Sequence, residues 1–147
     1  LLSIVQQPCV EPYWKVRRQG ACEDIFFITT NDKLEGLVDT MKNLASAADY
    51  PAYEMGIYLQ PIVQNANCHL EFNLFYDPHN PAEAGKIRGL ARKAVRALMA
   101  RGAYFSRPYG ENTDAVFGSH ASTVEALKKV KSIFDPNNIM NPGKLCF

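Results

Sequence analysis

The stretch Cys68-His-Leu-Glu-Phe-Asn-Leu-Phe-Tyr76 decides the fold, because its apolar and polar side chains alternate as they do in a half-buried strand. Successive side chains of a strand point to opposite faces, so one face carries Cys68, Leu70, Phe72, Leu74 and Tyr76. The opposite face carries His69, Glu71, Asn73 and Phe75. The sequence therefore predicts a sheet with one core face and one polar face.

Two further strands are predicted before this one. Residues 54–63 alternate in the same way, and Gln64-Asn65-Ala66-Asn67 is predicted to form a turn. The strand over residues 54–63 should therefore pair as a hairpin with the strand that ends at Tyr76. Its apolar set is Met55, Ile57, Leu59 and Val63, and Tyr58 and Gln60 lie opposite that set. Residues 22–30 are rich in aromatic and β-branched side chains, which favours another strand.

Helices are predicted between and after the strands. Asn31 is a candidate N-cap for a helix with an apolar stripe from Leu34 to Ala48. Asn80-Pro81-Ala82-Glu83 places an N-cap, an N1 proline and an N3 glutamate in order, and Gly102 should end that helix. A last helix should begin near Ser122, with Glu125 completing a capping box, and stop at Asp135-Pro136.

The order strand, helix, strand, strand, helix, short strand predicts an α+β fold. We expect a ferredoxin-like antiparallel sheet with helices on one face, plus a C-terminal extended tail. The polar sheet face is then free, and Tyr58, Gln60, His69 and Glu71 are candidates to line a ligand pocket there. The alternative is a plain solvent-exposed face.

Composition excludes several classes of protein. The chain has 147 residues, 47% hydrophobic residues and a formal net charge of +1, which predicts no general attraction to nucleic acid or acidic membranes. Its start has no initiator Met, basic region or long apolar run, so it resembles neither a signal peptide nor a membrane span, and it reads like the middle of a longer protein. Its four cysteines lack C-x-x-C spacing and an obvious set of His ligands, which argues against a zinc or iron–sulfur site. We expect reduced thiols in a cytoplasmic protein, and a disulfide remains open.

An aromatic cluster surrounds one arginine in the segment Gly102-Ala-Tyr-Phe-Ser-Arg-Pro-Tyr-Gly110. Arg107 carries a permanent charge on a planar donor group, so it could hold a carboxylate or phenolate while Tyr104 and Tyr109 stack on an aromatic substrate. The alternative is that Arg107 only pairs with a surface acid such as Glu111 or Asp114.

The ending Asp135-Pro-Asn-Asn-Ile-Met-Asn-Pro-Gly-Lys144 carries a resemblance. It is similar to the DP-x-x-I-x-NPGK segment of FAD-linked oxidoreductases of the vanillyl-alcohol oxidase and 4-cresol dehydrogenase type, which crosses from the cap domain back to the flavin-binding domain. The His69 strand and the Ser106-Arg107 segment also match, with spacing similar to that in 4-hydroxybenzyl alcohol oxidases and 4-alkylphenol hydroxylases.

The resemblance implies roles for residues of this sequence. Arg107 would bind a substrate phenolate and contact the cofactor, and His69 would line the pocket near the flavin as a catalytic partner. Substrate contacts would come from Tyr58, Gln60, Glu71, Tyr104 and Tyr109, and cofactor contacts also from Asn141 and Lys144. Ser106 stands where relatives have Tyr, and Gln60 where some have an acid. Asp24 cannot form the covalent flavin link that a His or Tyr makes in some relatives, so FAD should be held non-covalently by this segment.

The resemblance also implies a domain organisation. Residues 1–20 would link from a missing FAD-binding domain, residues 21–131 would form the cap or substrate domain, and residues 132–147 would return to the FAD-binding domain. Expected partners are that FAD-binding portion, a small-molecule substrate and further copies of the chain in a homo-oligomer. The basic residues of the helix over 81–101 could also dock an acidic electron-acceptor protein, and the alternative is that they form only a solvated face.

Two other functions remain open from the sequence. A free-standing ferredoxin-like ligand-binding or regulatory domain would have the same order of elements, and Gly85, Gly89 and Gly102 do not form a phosphate-binding loop. The cap of a D-lactate or glycolate type FAD oxidase shares the NPGK-like ending but usually has a metal-binding pair of histidines, which the sequence does not provide near His69, His79 or His120.

Overall fold

The computed structural model describes residues 20–62, 66–108, 112–118 and 121–143. In these ranges the strands are β1 (Ala21–Thr30), β2 (Gly56–Ile62) and β3 (Asn67–Tyr76). The helices are α1 (Leu34–Ala47), α2 (Pro81–Ala100), α3 (Asn112–Phe117) and α4 (Ala121–Phe134). The short α3 was not predicted from the sequence.

The sheet is antiparallel with the strand order β1-β3-β2. A single bridge extends it beyond β1, where the Ile28 and Tyr104 backbones exchange two N–H···O hydrogen bonds of 2.9 Å. This bridge occupies the place of the predicted short last strand. The α+β fold with a ferredoxin-like antiparallel sheet is therefore confirmed.

The hydrophobic core lies between one sheet face and helices α1 and α2. The sheet contributes Ile25, Phe27, Leu70, Phe72 and Leu74, all buried. The helices contribute Leu37, Met41, Ile87, Leu90, Ala94, Val95 and Leu98 from their apolar stripes. Full burial of side chains such as Phe27 and Phe72 stabilises the fold by about 1.5–3 kcal/mol each.

Strand β2 is only partly covered by the helices. Ile57 and Leu59 belong to the predicted apolar set, yet they are 46% and 48% exposed. On the same face of β3, Cys68, Leu70, Phe72 and Leu74 are buried, so the helices cover the centre of the sheet and leave its β2 edge accessible. Of the predicted set, Met55 is buried and Val63 lies outside the described residues.

Some helix ends agree with the sequence and others do not. The Asn80 side chain accepts a hydrogen bond of 3.3 Å from the Glu83 N–H, and Gly102 has a φ of +89°, as a glycine after a helix end requires. Asn31 is not an N-cap, because a turn of 3₁₀ helix covers Asn31–Lys33 before α1 begins. Helix α4 begins at Ala121, next to the predicted start near Ser122, and Glu125 pairs with Lys129 at 2.8 Å.

Candidate functional site

The polar face of the sheet brings residues from three strands into register. We use the term polar face for the side opposite the helices, formed by Asp24, Phe26, Ile28, Tyr58, Gln60, His69, Glu71 and Asn73. Phe26, Glu71 and Tyr58 form one cross-strand row, and Ile28, His69 and Gln60 form the next. Neighbouring strands lie about 4.8 Å apart, so side chains in one row are in reach of each other.

His69 lies at the centre of this face. Its ring stacks on Phe26, with centroids 5.9 Å apart and planes inclined by 28°, and it meets the Tyr58 ring at 6.1 Å with an edge-on angle of 65°. Its Nε2 lies 3.4 Å from Glu71 Oε2. The two aromatic contacts and the carboxylate contact together restrict the orientation of the imidazole.

A hydrogen-bonded chain continues from Glu71 across the sheet. Asn73 Nδ2 donates to Glu71 Oε1 at 2.6 Å and to Asp24 Oδ1 at 2.9 Å. The Cys22 thiol also donates to Asp24 Oδ1 at 2.9 Å. Glu71 and Asn73 are only 7% and 2% exposed, so this part of the polar face is buried and hydrogen-bonded.

Gly56 makes room for this chain. It is the register partner of Asn73, and a Cβ atom at Gly56 would lie 3.0 Å from both Cβ and Oδ1 of the Asn73 side chain. A larger residue would push the Asn73 amide away from the two carboxylates. A Cβ atom at this position would require the Asn73 side chain to move by a few tenths of an ångström.

Arg107 reaches the polar face from the segment after α2. Its guanidinium carbon lies 5.7 Å from the centroid of the Phe26 ring, within the range of a cation–π contact. Two residues just before Arg107 hold this segment against β1. The Tyr104 backbone pairs with Ile28, and the buried Phe105 ring lies 5.4 Å from the Phe27 ring. Phe26 thus contacts both Arg107 and His69.

The other predicted site residues are placed as follows. The Tyr58 hydroxyl donates to Gln60 Oε1 at 3.3 Å, and the Gln60 side chain is exposed. Tyr104 is exposed, and its bridge to Ile28 puts it on the polar-face side of the sheet edge. Asn141 lies in the tail after α4 with a φ of +51°. Tyr109 and Lys144 lie outside the described residues.

Sequence reasoning assigned no site role to Phe26. It counted Asn73 among the polar residues of this face without a specific role, and it treated Asp24 only as a residue that could not bind flavin covalently. The alternation of β1, in which Asp24, Phe26 and Ile28 lie opposite Ile25, Phe27 and Thr29, could have identified its polar-face residues. The missing information was the register between β1 and β3, which no local pattern fixes.

The start of the tail is folded around one carboxylate. Asp135 accepts backbone hydrogen bonds from Ile139 at 2.8 Å and Met140 at 2.9 Å, and it also binds Lys131. The Lys131 contact and the two N–H groups hold the pKa of the Asp135 carboxyl below its usual value, although burial opposes this shift. Asn138 and Asn141 adopt left-handed backbone conformations, which asparagine tolerates better than most residues.

Helix α4 and the tail carry an apolar surface. The term tail surface is used here for Val130, Ile133, Phe134, Ile139 and Met140, which are all exposed. Ile133 and Phe134 are 73% and 76% exposed, and no described residue of α4 is buried. A cluster of large apolar side chains of this kind is typical of a surface that another protein segment covers.

The remaining features concern the described cysteines, groups of metal-binding side chains and the length and polarity of the helices. Burial raises the pKa of the Cys68 thiol, which forms no disulfide with another described residue. Within the described ranges, no group of three or more His, Cys, Asp or Glu residues is placed to hold a metal ion. No helix in those ranges is both long and apolar enough to cross a membrane.

Comparisons with known proteins agree with this picture. The family described as "FAD linked oxidases, C-terminal domain" matches residues 115–145, from α3 through the tail. This match covers 31 of the 147 residues, so it shows a similarity of that part of the chain to the family. A search of curated protein sequences gives no match.

A solved structure extends the similarity to the sheet. The chain resembles the 4-ethylphenol oxidase from Gulosibacter chungangensis, solved as an isoeugenol complex, with a TM-score of 0.71 and 18% sequence identity. The match covers 86% of this chain and 24% of the oxidase chain, so the sequence spans about a quarter of that protein's length. At this level of identity the similarity shows a shared fold.

Proposed function

We propose that this chain is the substrate-domain portion of an FAD-dependent oxidoreductase that oxidises a small aromatic alcohol or alkylphenol by hydride transfer to flavin. The observation that carries the proposal is the assembly of Arg107, Phe26, His69 and Tyr58 on one sheet face. A guanidinium, three rings and an exposed amide next to them suit a flat substrate with an anionic oxygen. The name and ligand of the structurally similar 4-ethylphenol oxidase support the same substrate class.

Arg107 would bind the phenolate of the substrate. Its guanidinium keeps its positive charge at all physiological pH values and offers several donors, so it stabilises the electron-rich anionic form from which a hydride leaves readily. Ser106 replaces the tyrosine that related enzymes have before the arginine. The exposed Tyr104 would supply a phenol hydroxyl from the same edge of the sheet.

His69 would hold or move a proton at the substrate. Its ring is fixed by Phe26 and Tyr58, and an imidazole has one nitrogen that donates and one that accepts a proton, which suits it to general acid–base work. Tyr58 and Gln60 would position the substrate through the hydroxyl and amide on the neighbouring strand. FAD, when bound, supplies the hydride acceptor.

The described residues fit the substrate side of such an enzyme. Gly85 and Gly89 lie inside helix α2 and Gly102 follows its end, so none of them forms a phosphate-binding loop. The FAD-binding portion, preceding residues 1–20 of this chain, would then hold the nucleotide. It would cover the tail surface, and Asn141 and Lys144 in residues 132–147 would contact it or the cofactor.

The electron acceptor is a separate proposal. Helix α2 exposes Lys86, Arg88, Arg92, Lys93 and Arg96, which would dock an acidic electron-accepting protein. A reoxidation rate that falls steeply with added salt would support docking of this kind, and a salt-independent rate would contradict it.

The test of the substrate proposal uses the complete enzyme, meaning this chain together with its FAD-binding portion. Arg107→Ala should lower kcat/KM for anionic aromatic substrates by about tenfold or more, since a charged hydrogen bond contributes about 1.5–3 kcal/mol. Neutral analogues should be affected less, and FAD should stay bound. Lys42→Ala, which removes an exposed positive charge from α1, outside the basic surface of α2, is the control. Equal kinetics for wild type and Arg107→Ala would remove Arg107 from the substrate site.

A further inference from the structure

The carboxylate of Glu71 is engaged by protein groups on both of its oxygens. Oε1 accepts from Asn73 Nδ2 at 2.6 Å, and Oε2 faces His69 Nε2 at 3.4 Å. Its side chain is only 10% exposed. A carboxylate that is buried and committed in this way is poorly placed to bind a substrate directly. It is well placed to orient the imidazole beside it.

Asn73 fixes the direction of that carboxylate. The Asn73 amide nitrogen has two hydrogens, and both are used, one toward Glu71 and one toward Asp24 Oδ1 at 2.9 Å. The side chain is almost fully buried, so water is a poor substitute for either bond. Because the same nitrogen binds both carboxylates, Asp24 and Glu71 restrain each other's position.

This arrangement selects one form of the histidine. An ionised carboxylate can only accept hydrogen bonds, so the ring nitrogen facing Glu71 must carry a hydrogen. Neutral His69 would then be protonated at Nε2, and Nδ1 would be the proton acceptor of the ring. The rings of Phe26 and Tyr58 oppose a rotation that would exchange the two nitrogens.

We propose that Glu71, held by Asn73 and Asp24, is the positioning residue that fixes the orientation and the Nε2–H tautomer of His69. The proposal deepens the proposed function and rests on it, because it assigns Nδ1 of His69 as the atom that accepts the proton of the substrate's alcohol O–H when the carbon bearing that hydroxyl gives its hydride to flavin. Glu71 thus acts through His69 and has no direct contact with the substrate. Asn73 and Asp24 act one and two steps further along the same chain of contacts.

The direct test is ¹⁵N solid-state NMR of the complete enzyme labelled at histidine, without substrate and at a pH where the ring is neutral. The His69 signals are assigned by their loss in His69→Gln. We expect wild type to have the hydrogen on Nε2. Glu71→Gln should shift His69 toward a mixture of tautomers, because a glutamine amide can donate as well as accept. Glu35→Gln on the exposed side of α1 is the matched control and should leave the signals unchanged.

Anaerobic flavin reduction measures the consequence. Glu71→Gln should slow reduction by about ten- to hundredfold, part of the factor of about 10²–10⁴ that a positioned acid–base group contributes. Asp24→Asn, at the far end of the chain, should have a smaller effect in the same direction. It provides a second variant if Glu71→Gln does not fold.

The outcomes separate this inference from the proposed function. Wild-type His69 protonated at Nδ1, or signals that do not respond to Glu71→Gln in a folded enzyme, would overturn the positioning role whatever the activity. If the signals respond as expected but no aromatic substrate reduces the flavin, the positioning role is supported and the proposed function fails.

Discussion

Phe26 contacts both Arg107 and His69, to which we assign catalytic roles. Phe26→Leu therefore tests the site without removing either residue. Leucine keeps an apolar side chain of similar bulk, but it has no ring for Arg107 or His69 to face. The protein should fold, since a swap between large apolar residues at a half-buried position usually costs less than about 1.5 kcal/mol.

The expected effect follows from the two contacts. A guanidinium 5.7 Å from the ring centroid at an exposed site contributes about 0.5–1 kcal/mol. The pair of rings 5.9 Å apart contributes about 0.5–1 kcal/mol, the lower part of the range for aromatic pairs, because the site is half-buried. If both contacts stabilise the transition state, Phe26→Leu removes about 1–2 kcal/mol of that stabilisation, which lowers kcat/KM by about five- to thirtyfold.

The assay is steady-state kinetics of the complete enzyme with a 4-alkylphenol, alongside thermal unfolding and bound FAD content. Phe26→Tyr keeps the ring and should retain most of the activity. Phe75→Leu changes a phenylalanine at the other end of the same sheet face and is the matched control. A kcat/KM for Phe26→Leu within twofold of wild type, in a folded enzyme with full FAD content, would show that the ring contacts of Phe26 with Arg107 and His69 do not support catalysis.

Three further predictions concern the fold and the tail. Leu98→Ala, which empties a fully buried position of α2, should lower the free energy of unfolding by about 2–5 kcal/mol in a denaturant titration. Gly56→Ala should disturb the Asn73 amide, so flavin reduction should be slower than in wild type while the unfolding temperature changes little. A variant that reduces flavin at the wild-type rate would contradict the tight contact between position 56 and Asn73. The lowered pKa of Asp135 means that its stabilisation of the tail is complete above the unfolded-state pKa of about 3.9 and is lost as pH falls through the folded-state value. Amide hydrogen exchange of Ile139 and Met140, corrected for intrinsic rates, should therefore show protection that disappears in acid, and Asp135→Asn should weaken protection at neutral pH.

Much of the fold could be predicted because short-range patterns determine it. The alternation from Cys68 to Tyr76 gave a strand whose observed bounds are Asn67–Tyr76, and Asn80-Pro81-Ala82-Glu83 gave the start of α2. The proline at position 136 correctly indicated where α4 ends, at Phe134. In each case one or two residues set the backbone locally, so no knowledge of the tertiary structure was needed.

The site was predicted less completely because its geometry depends on strand register. Placing His69 and Glu71 on one face required only the two-residue period of a strand. Bringing Asp24 and Phe26 beside them required the pairing of β1 with β3, which joins residues far apart in the chain. The burial of Glu71 and Asn73 also could not be read from alternation, because alternation indicates only that a face is polar.

The central claim is that the polar face serves oxidation of an aromatic substrate by flavin. The most direct measurement is the flavin absorbance of the complete enzyme after addition of a 4-alkylphenol under anaerobic conditions, in wild type and in His69→Gln. We expect the bound flavin to be bleached in wild type and to be bleached far more slowly in His69→Gln. A protein that binds no flavin, or whose flavin stays oxidised with every aromatic substrate tested, would contradict it.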